Sequence, residues 1–426
     1  MTGGIDIMAN KPDNKINRRN FLRTAGLAGV AGVIAGTNAR GADTNEPNAP
    51  PKPLMPVQKM PRRKLGKTGV EVPILALGGI GEQVVFRQAL DWGVTQWDTA
   101  LVAGGGNSEI AIGQFFAKNP DLRKDIFLVT KESKSKTADD IEKCLQTSLK
   151  RLNTSYIDFY CGVYMISDPD VLTDEVKKWA EGAKKRGVIK YFGFSTHQNM
   201  PQCLMAAAKL GWVDVVQTTY NFRLAQDSQM QDAIEACYKA GIGIIAMKTQ
   251  GMRQRRGPAD TNADPNAEAE ADRKMLAHFL QRGFTEGQAK IKAVLQDERI
   301  SSVCSAMNST AMLMTNIAAA LDKTKLEAAD WEVLRQYALE TCSGYCAGCA
   351  HICEQAAAGV PISDVMRALM YHNSYGDKAQ ARQVFAEIPA QTRQRLLSVD
   401  YTAAESRCPN RMPIARLMAD AVNKLA

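Results

Sequence analysis

The sequence has no strong excess of either charge. Its 53 Lys and Arg stand against 45 Asp and Glu, a net charge of +8 at pH 7. The two signs are interspersed along most of the chain, so a nucleic-acid role has no electrostatic footprint to rest on. The short basic run Arg253 to Arg256 reads as a solvated loop. A membrane-spanning stretch is lacking too: the mildly apolar run Thr24 to Gly36 is too short and too rich in glycine. A disulfide framework is the third absence. Five of the ten cysteines (Cys144, Cys161, Cys203, Cys237 and Cys304) are scattered singly through apolar segments, as small core residues are. The other five follow residue 340, four of them within twelve positions, and such clustering in a large helix-rich chain points to metal. What remains is an ordinary globular composition, 45% hydrophobic and 23% charged, and 426 residues suffice for one large domain and a smaller one.

Asn17-Arg-Arg-Asn-Phe-Leu-Arg23 precedes the apolar run. With paired Arg18 and Arg19 followed by Phe21 and Leu22, it resembles a twin-arginine export signal, and Ala39-Arg40-Gly41 offers small residues for cleavage. The resemblance implies the twin-arginine export machinery as a partner, a periplasmic or cell-envelope location, and no membrane span after processing. That route carries folded proteins, which suits a chain that must acquire a fragile cofactor first. Residues 1–41 are expected as the signal. Residues 42–59 are expected as a linker, because Pro47, Pro50, Pro51, Pro53 and Pro56 favour extended, solvated backbone.

From Met60 onward, strand-like apolar runs alternate with amphipathic stretches. Val72 to Leu77, Ile126 to Thr130, Ile157 to Val163, Val188 to Ser195, Val213 to Thr218, Ile242 to Met247 and Ile300 to Ser305 read as strands. Ala138 to Arg151 and Asp227 to Ala240 read as helices between them. Repeated units of this kind predict an α/β fold with a parallel sheet closed into a (β/α)8 TIM barrel, its chemistry at the C-terminal strand ends. Arg63-Lys-Leu-Gly-Lys-Thr-Gly-Val-Glu-Val72, then Gly93-Val-Thr-Gln-Trp-Asp-Thr-Ala100 and Gly104-Gly-Gly-Asn-Ser-Glu109, open a series of motifs. Leu128-Val-Thr-Lys131, Gly193-Phe-Ser195, Gln217-Thr-Thr-Tyr-Asn221 and Asn316-Ile-Ala-Ala319 continue it in order. The series resembles the aldo-keto reductase family across Met60 to Leu321, with the barrel expected over residues 60–325.

The resemblance implies carbonyl reduction by a Tyr hydroxyl, tuned by a Lys that is paired with an Asp, with a His orienting the substrate oxygen. Asp98 and Lys131 match the Asp and Lys. The Tyr position holds Ala103, which has no proton to give, and the His position reads Val163-Tyr-Met-Ile. The four histidines, His197, His278, His351 and His372, lie elsewhere. Tyr164, one residue from the missing His, is a candidate hydroxyl donor, or else a packing residue. Asp98 and Lys131 read equally as catalytic groups and as a buried ion pair at the barrel mouth.

For the cofactor NAD(P)H, Ser195 and Gln217 match a Ser and a Gln that hold the nicotinamide amide, and Tyr220 a Tyr that stacks on its ring. Thr196 replaces an Asn of the pattern, weakening one hydrogen bond. Lys248, Ser309 and Asn316 complete the expected contacts. Ala306-Met-Asn-Ser309 stands where the family carries a basic residue for the 2′-phosphate, so selectivity for NADPH loses its charged contact. Met312 replaces a Glu facing the adenine. The polar stretch Gly251 to Asp272 reads as a solvated insertion rather than a clasp.

Cys342-Ser-Gly-Tyr-Cys346-Ala-Gly-Cys349-Ala-His-Ile-Cys353 resembles half of a bacterial ferredoxin motif, and Cys408-Pro409 its remote closure. Thiolate ligation fits iron–sulfur or zinc; the Cys-Pro closure favours iron–sulfur. The crossed ligand pattern of ferredoxins implies one [4Fe–4S] cluster on Cys342, Cys346, Cys349 and Cys408, with Cys353 free or in place of Cys342. A small α-helical iron–sulfur domain is expected over 326–426, with helices at Ile362 to Tyr371, Asp377 to Glu387 and Pro413 to Leu425. The expectation is an exported iron–sulfur oxidoreductase of aldo-keto reductase type with an incomplete tetrad, a small-molecule substrate and a redox partner protein. The alternative is a non-catalytic scaffold or electron-transfer protein on the same barrel.

Overall fold

The computed structural model describes residues 59–79, 81–132, 137–254 and 265–426. The signal and most of the expected linker, at 1–58, lie outside the described residues, as do Arg255 and Arg256. Among the described residues no helix is long and apolar enough to cross a membrane.

A short antiparallel hairpin, β1 (Arg62–Lys64) and β2 (Glu71–Pro73), comes first. Then strands and helices alternate: β3 (Leu75–Gly78), α1 (Gln83–Asp91), β4 (Gln96–Asp98), α2 (Asn107–Lys118), β5 (Phe127–Lys131), α3 (Ala138–Arg151), β6 (Ile157–Ile166) and α4 (Asp174–Lys185). They continue through β7 (Ile189–Thr196), α5 (Met200–Leu210), β8 (Val215–Thr219), α6 (Ser228–Lys239), β9 (Gly243–Met247), α7 (Pro265–Gln281), α8 (Glu286–Leu295), β10 (Ser302–Ala306) and α9 (Thr310–Leu321). Strands β3 to β10 are all parallel and close in chain order, β10 pairing with both β9 and β3. This is the expected eight-stranded barrel. The expected strand Val72 to Leu77 proves to be two: Ile74 separates the end of the hairpin from the first barrel strand.

Alternation decides the layers, since successive strand residues point to opposite faces. Val129, Phe159, Cys161, Val215 and Ile245 fill the interior with Leu65 and Val72 of the hairpin. Lys67 N–H donates to the Gly241 carbonyl at 2.7 Å, at the start of β9, so the hairpin closes the N-terminal end. The helices seat on the outside by amphipathic stripes. In α3, Ile141, Leu145 and Leu149 are buried, Thr137 caps the first turn through the Asp140 N–H, and Lys150 and Arg151 stand at the carbonyl end.

Seven further helices follow: α10 (Ala328–Glu340), α11 (Ala350–Ala356), α12 (Ile362–Asn373), α13 (Lys378–Ala386), α14 (Ala390–Arg395), α15 (Thr402–Arg407) and α16 (Ile414–Leu425). The three helices expected in the tail are α12, α13 and α16. They share a core of their own that runs from Cys353 to Leu425. Helix α10 packs instead with α7 against Phe222, Met275 and Phe279. The tail sits on the C-terminal mouth of the barrel. Asn199 N–H donates to the Gly348 carbonyl at 2.7 Å, Gln254 N–H to the Gly344 carbonyl at 2.6 Å, and Gln198 to Asp364 at 2.7 Å. Gly348 has φ +78°, and a Cβ there would lie 2.2 Å from the His197 carbonyl oxygen, so only glycine permits this approach.

Two expectations fail around residue 253. Arg253 is buried, with Glu268 at 2.6 Å and Asp272 at 2.8 Å, rather than solvated. Those partners lie on α7, so the stretch read as an insertion ends in a helix. Its Ala and Glu residues, polar in composition, are strong helix formers.

Candidate functional site

β4 and β5 end on Asp98 and Lys131. Lys131 Nζ donates to Asp98 Oδ1 at 2.6 Å and to the Thr99 carbonyl at 2.7 Å, and both side chains are buried. Gln217 of β8 donates its amide to Asp98 Oδ2 at 3.0 Å. Burial works to deprotonate Lys131, but the Asp98 carboxylate together with the neighbouring Cys161 and Cys304 outweighs it and holds the ammonium above its ordinary value. Ala103 opens a tight turn in which Gly104, Gly105 and Gly106 adopt φ of 57°, 66° and 91°. Helix α13 packs on that turn, so C-terminal structure covers the position where the family carries its Tyr.

Tyr164 lies where the β6–β7 register shifts between Val163 and Ile166. Its N–H donates to Glu132 Oε1 at 2.8 Å, and that of Met165 to Ser195 Oγ at 3.1 Å. Burial, then the nearby Tyr371, push the Tyr164 phenol above the ordinary range, and the Arg367 cation only partly opposes them. That makes Tyr164 the weaker acid of the two tyrosines here.

The other tyrosine was missed in the sequence. Lys248, just past β9 with φ 57°, donates its Nζ to the Tyr371 hydroxyl at 2.9 Å. The same ammonium lies 4.2 Å from the centre of the Tyr371 ring and 5.0 Å from that of Tyr375. Burial raises the Tyr371 phenol, but Lys248 and Arg367 outweigh it, and the net shift is downward. A phenol held by a lysine at a barrel mouth is the chemistry Ala103 cannot supply, and here it comes from α12. A faint signal existed: Asp364, Arg367 and Tyr371 recur at helical spacing and share one face. His197, after β7, places Nδ1 2.8 Å from Thr219 Oγ1. Burial, then Arg367, Lys248 and Lys131, push its imidazole well below the ordinary value, so it is neutral at neutral pH.

The six residues expected along an extended nicotinamide cofactor are spread over several elements. Ser195 and Gln217 lie with Asp98, but Ser195 accepts the Met165 N–H, and Gln217 is held between Asp98 and Cys161 Sγ at 3.9 Å. Tyr220 is turned outward, its hydroxyl bonded to Asp297 and Gln231 at 2.8 Å each, in the layer between strands and helices. Strand alternation explains the difference: Gln217 and Thr219 face inward and the next residue faces out. Ser309 caps α9 by accepting the Met312 N–H at 3.3 Å, Asn316 donates to Ser305 Oγ at 3.0 Å, and Lys248 holds Tyr371.

Four cysteines line one small, apolar-walled cavity: Cys346, Cys349, Cys353 and Cys408, with Ile352, Ile362, Pro409 and Met412 among the walls. Cys349 caps α11 and Cys353 follows four residues on, so the helix turns both thiols to one side. Cys342 is not among the lining residues. It lies on the turn after α10, near Arg223, whose guanidinium is bonded to Thr341 at 2.7 Å. The four cysteines that line the cavity are those of the expected alternative in which Cys353 stands in place of Cys342. No cysteine is in a disulfide. Burial raises the thiols, Cys349 to about 11 and Cys353 to about 12. Among the described residues no group of three or more His, Cys, Asp or Glu converges on a point that could hold a single metal ion. Between this cavity and the barrel mouth lies a cleft lined by His197, Thr219, Lys248, Tyr345, Ser363 and Arg367, and Cys346 lines both spaces.

A closed parallel barrel with a buried Asp–Lys pair at its C-terminal mouth defines a (β/α)8 protein of oxidoreductase type. The Aldo/keto reductase family model matches residues 82–336, and the chain belongs to that family. L-galactose dehydrogenase of Arabidopsis thaliana is 24% identical over 290 residues, 63% of this chain and 90% of that protein. Aldo-keto reductase yakc [NADP(+)] of Schizosaccharomyces pombe is 31% identical over 219 residues, 45% of this chain and 62% of that protein. Among solved structures, the holo form of aldo-keto reductase AKR11C1 from Bacillus halodurans has a TM-score of 0.54 at 21% identity. That match covers 65% of this chain and 96% of the other, and it speaks for the fold.

Proposed function

We propose that this aldo-keto reductase-type oxidoreductase is an exported iron–sulfur protein whose reacting site is the cleft between barrel mouth and C-terminal helices. The observation that carries the reading is Cys346, which lines both the four-cysteine cavity and the cleft. The cavity fits a cluster better than a single ion, because its thiols ring a space bounded by apolar side chains. Four buried thiols without a disulfide match thiolate ligation by Cys346, Cys349, Cys353 and Cys408, and a [4Fe–4S] cluster so held would supply one-electron chemistry. Tyr371, which does not itself line the cleft but is hydrogen-bonded to its Lys248, is the proton donor in this reading. Its hydroxyl is fixed by Lys248, whose charge stabilises the phenolate left behind. Asp98 and Lys131 keep a compensated charge pair beneath it. The tetrad is degenerate, since Ala103 cannot donate and no His follows β6.

NAD(P)H is typical of the family, but the arrangement here does not fit the expected contacts. Tyr220 faces away, and Ser195 and Gln217 spend their polar groups inside the protein. No step is derived through it. The same internal engagement favours the second reading, a non-catalytic scaffold. Anaerobic purification with the native signal, followed by iron and sulfide analysis, separates the two. About four iron atoms per chain are expected, kept in Cys342→Ser and lost in Cys353→Ser. A folded, iron-free wild type would leave the scaffold.

A further inference from the structure

We propose that the cleft between barrel and C-terminal helices binds a small organic carboxylate. Two cations line it, Lys248 from the barrel and Arg367 from α12, and no Asp or Glu is among its lining residues. The acids nearby are already committed. Asp364 takes Arg367 Nη2 and Gln198 at 2.7 Å each, Asp98 takes Lys131, and Glu354 accepts the Ser363 N–H at 3.0 Å. Glu387 faces the Tyr164 and Arg367 side of the cluster.

One buried polar atom of the lining side chains has no hydrogen-bond partner, Arg367 Nε, whereas the Ser363 side chain is engaged by the Glu354 carboxylate. Arg367 is 6% exposed and Ser363 4%. A guanidinium N–H left unpaired at that depth is costly unless a ligand or water answers it. His197, neutral and bonded to Thr219, adds a polar wall without charge. The remaining walls include Met252, Met366 and Met370. Two cations and a free guanidinium N–H beside flexible apolar thioethers suit an acid with a short carbon body better than a fully hydrated inorganic anion. Because Lys248 also holds Tyr371, a carboxylate there would bring the rest of its ligand beside that hydroxyl.

The inference names the substrate class for the functional reading above and rests on it for catalytic meaning, though not for binding. Calorimetry on the full-length, anaerobically purified protein tests it, with pyruvate, its neutral methyl ester and inorganic phosphate as probes. Pyruvate is expected to bind and the ester not. Lys248→Met should weaken pyruvate about tenfold, the worth of one charge-assisted contact. Arg367→Lys, which keeps the charge and leaves Tyr371 clamped by Lys248 but removes the Nε donor, should weaken it about fivefold. Equal binding of acid and ester, preference for phosphate, or no binding of pyruvate to folded wild type would each overturn the proposal. Iron analysis of the same sample keeps the two ideas apart: pyruvate binding without iron sinks the redox reading alone, and iron without binding sinks this one alone.

Discussion

Tyr371 owes its downward shift to cations on two different elements, Lys248 after β9 and Arg367 one helical turn before it on α12. The phenol form is the one that can donate a proton, so this capacity is lost as pH rises through a folded value below the ordinary 10.0. In a spectrophotometric pH titration, Tyr371 should be the first tyrosine to give phenolate absorbance. Tyr371→Phe should delete that earliest component, and Lys248→Met should move it upward; an unchanged first component in both variants would refute the pairing. Asp98→Asn tests the floor of the site. It leaves a buried ammonium without its counter-charge, and a loss of about 3–5 kcal/mol in denaturant unfolding is expected. A loss near 0.5 kcal/mol, typical of surface substitutions, would mean that the pair is solvated. Asp98 and Lys131 were legible because each closes a strand inside a local motif. Tyr371 was not, because its partner Lys248 lies in another domain, and no local pattern links a lysine past β9 to a tyrosine on α12. Tyr220 was misread because its motif gave its place in the chain but not the face of the sheet.

At the scale of elements, the docking of the cysteine segment hangs on backbone geometry. Gly348 supplies both a left-handed turn and the closest approach to the barrel, at His197. Gly348→Ala should cost about 2 kcal/mol from the strained φ, with the contact adding to it. Limited proteolysis should then cut first between α10 and α12, while far-UV dichroism stays that of the barrel. Cleavage elsewhere, or no change in cleavage, would show that the segment docks by other contacts. The alternation of strands and helices was readable element by element, because period-2 and period-3.6 patterns are local. The docking was not readable, since nothing local says which surface a tail covers. The choice between Cys342 and Cys353 was not readable for a similar reason. A ferredoxin-like spacing was carried over, whereas α11 presents Cys349 and Cys353 together and leaves Cys342 on the turn before it.

At the scale of the molecule, the appended helices have converted an open barrel mouth into a cleft with two walls. The family's pocket draws its chemistry from strand ends. Here Tyr371, Arg367 and the four cavity thiols come from the tail, so on the proposed reading the chemistry that Ala103 cannot supply is drawn from there. Such a site exists only when barrel and tail have folded onto each other, and the other three cavity thiols lie behind Cys346 at the seam. On the proposed reading, that order of assembly gives the twin-arginine reading of residues 1–41 its physical sense, since a cluster would have to be built before export. Changing Arg18 and Arg19 together to Lys should therefore hold the protein in the cytoplasm with its iron per chain unchanged. Cys353→Ser should lower iron and also lower the exported fraction, because a tail without its cluster no longer seals the seam. Fractionation and iron analysis of the same cultures measure both. Export of the iron-free variant at the wild-type level would cut the link between cluster and folding, and periplasmic arrival of the double-Lys variant would remove the signal.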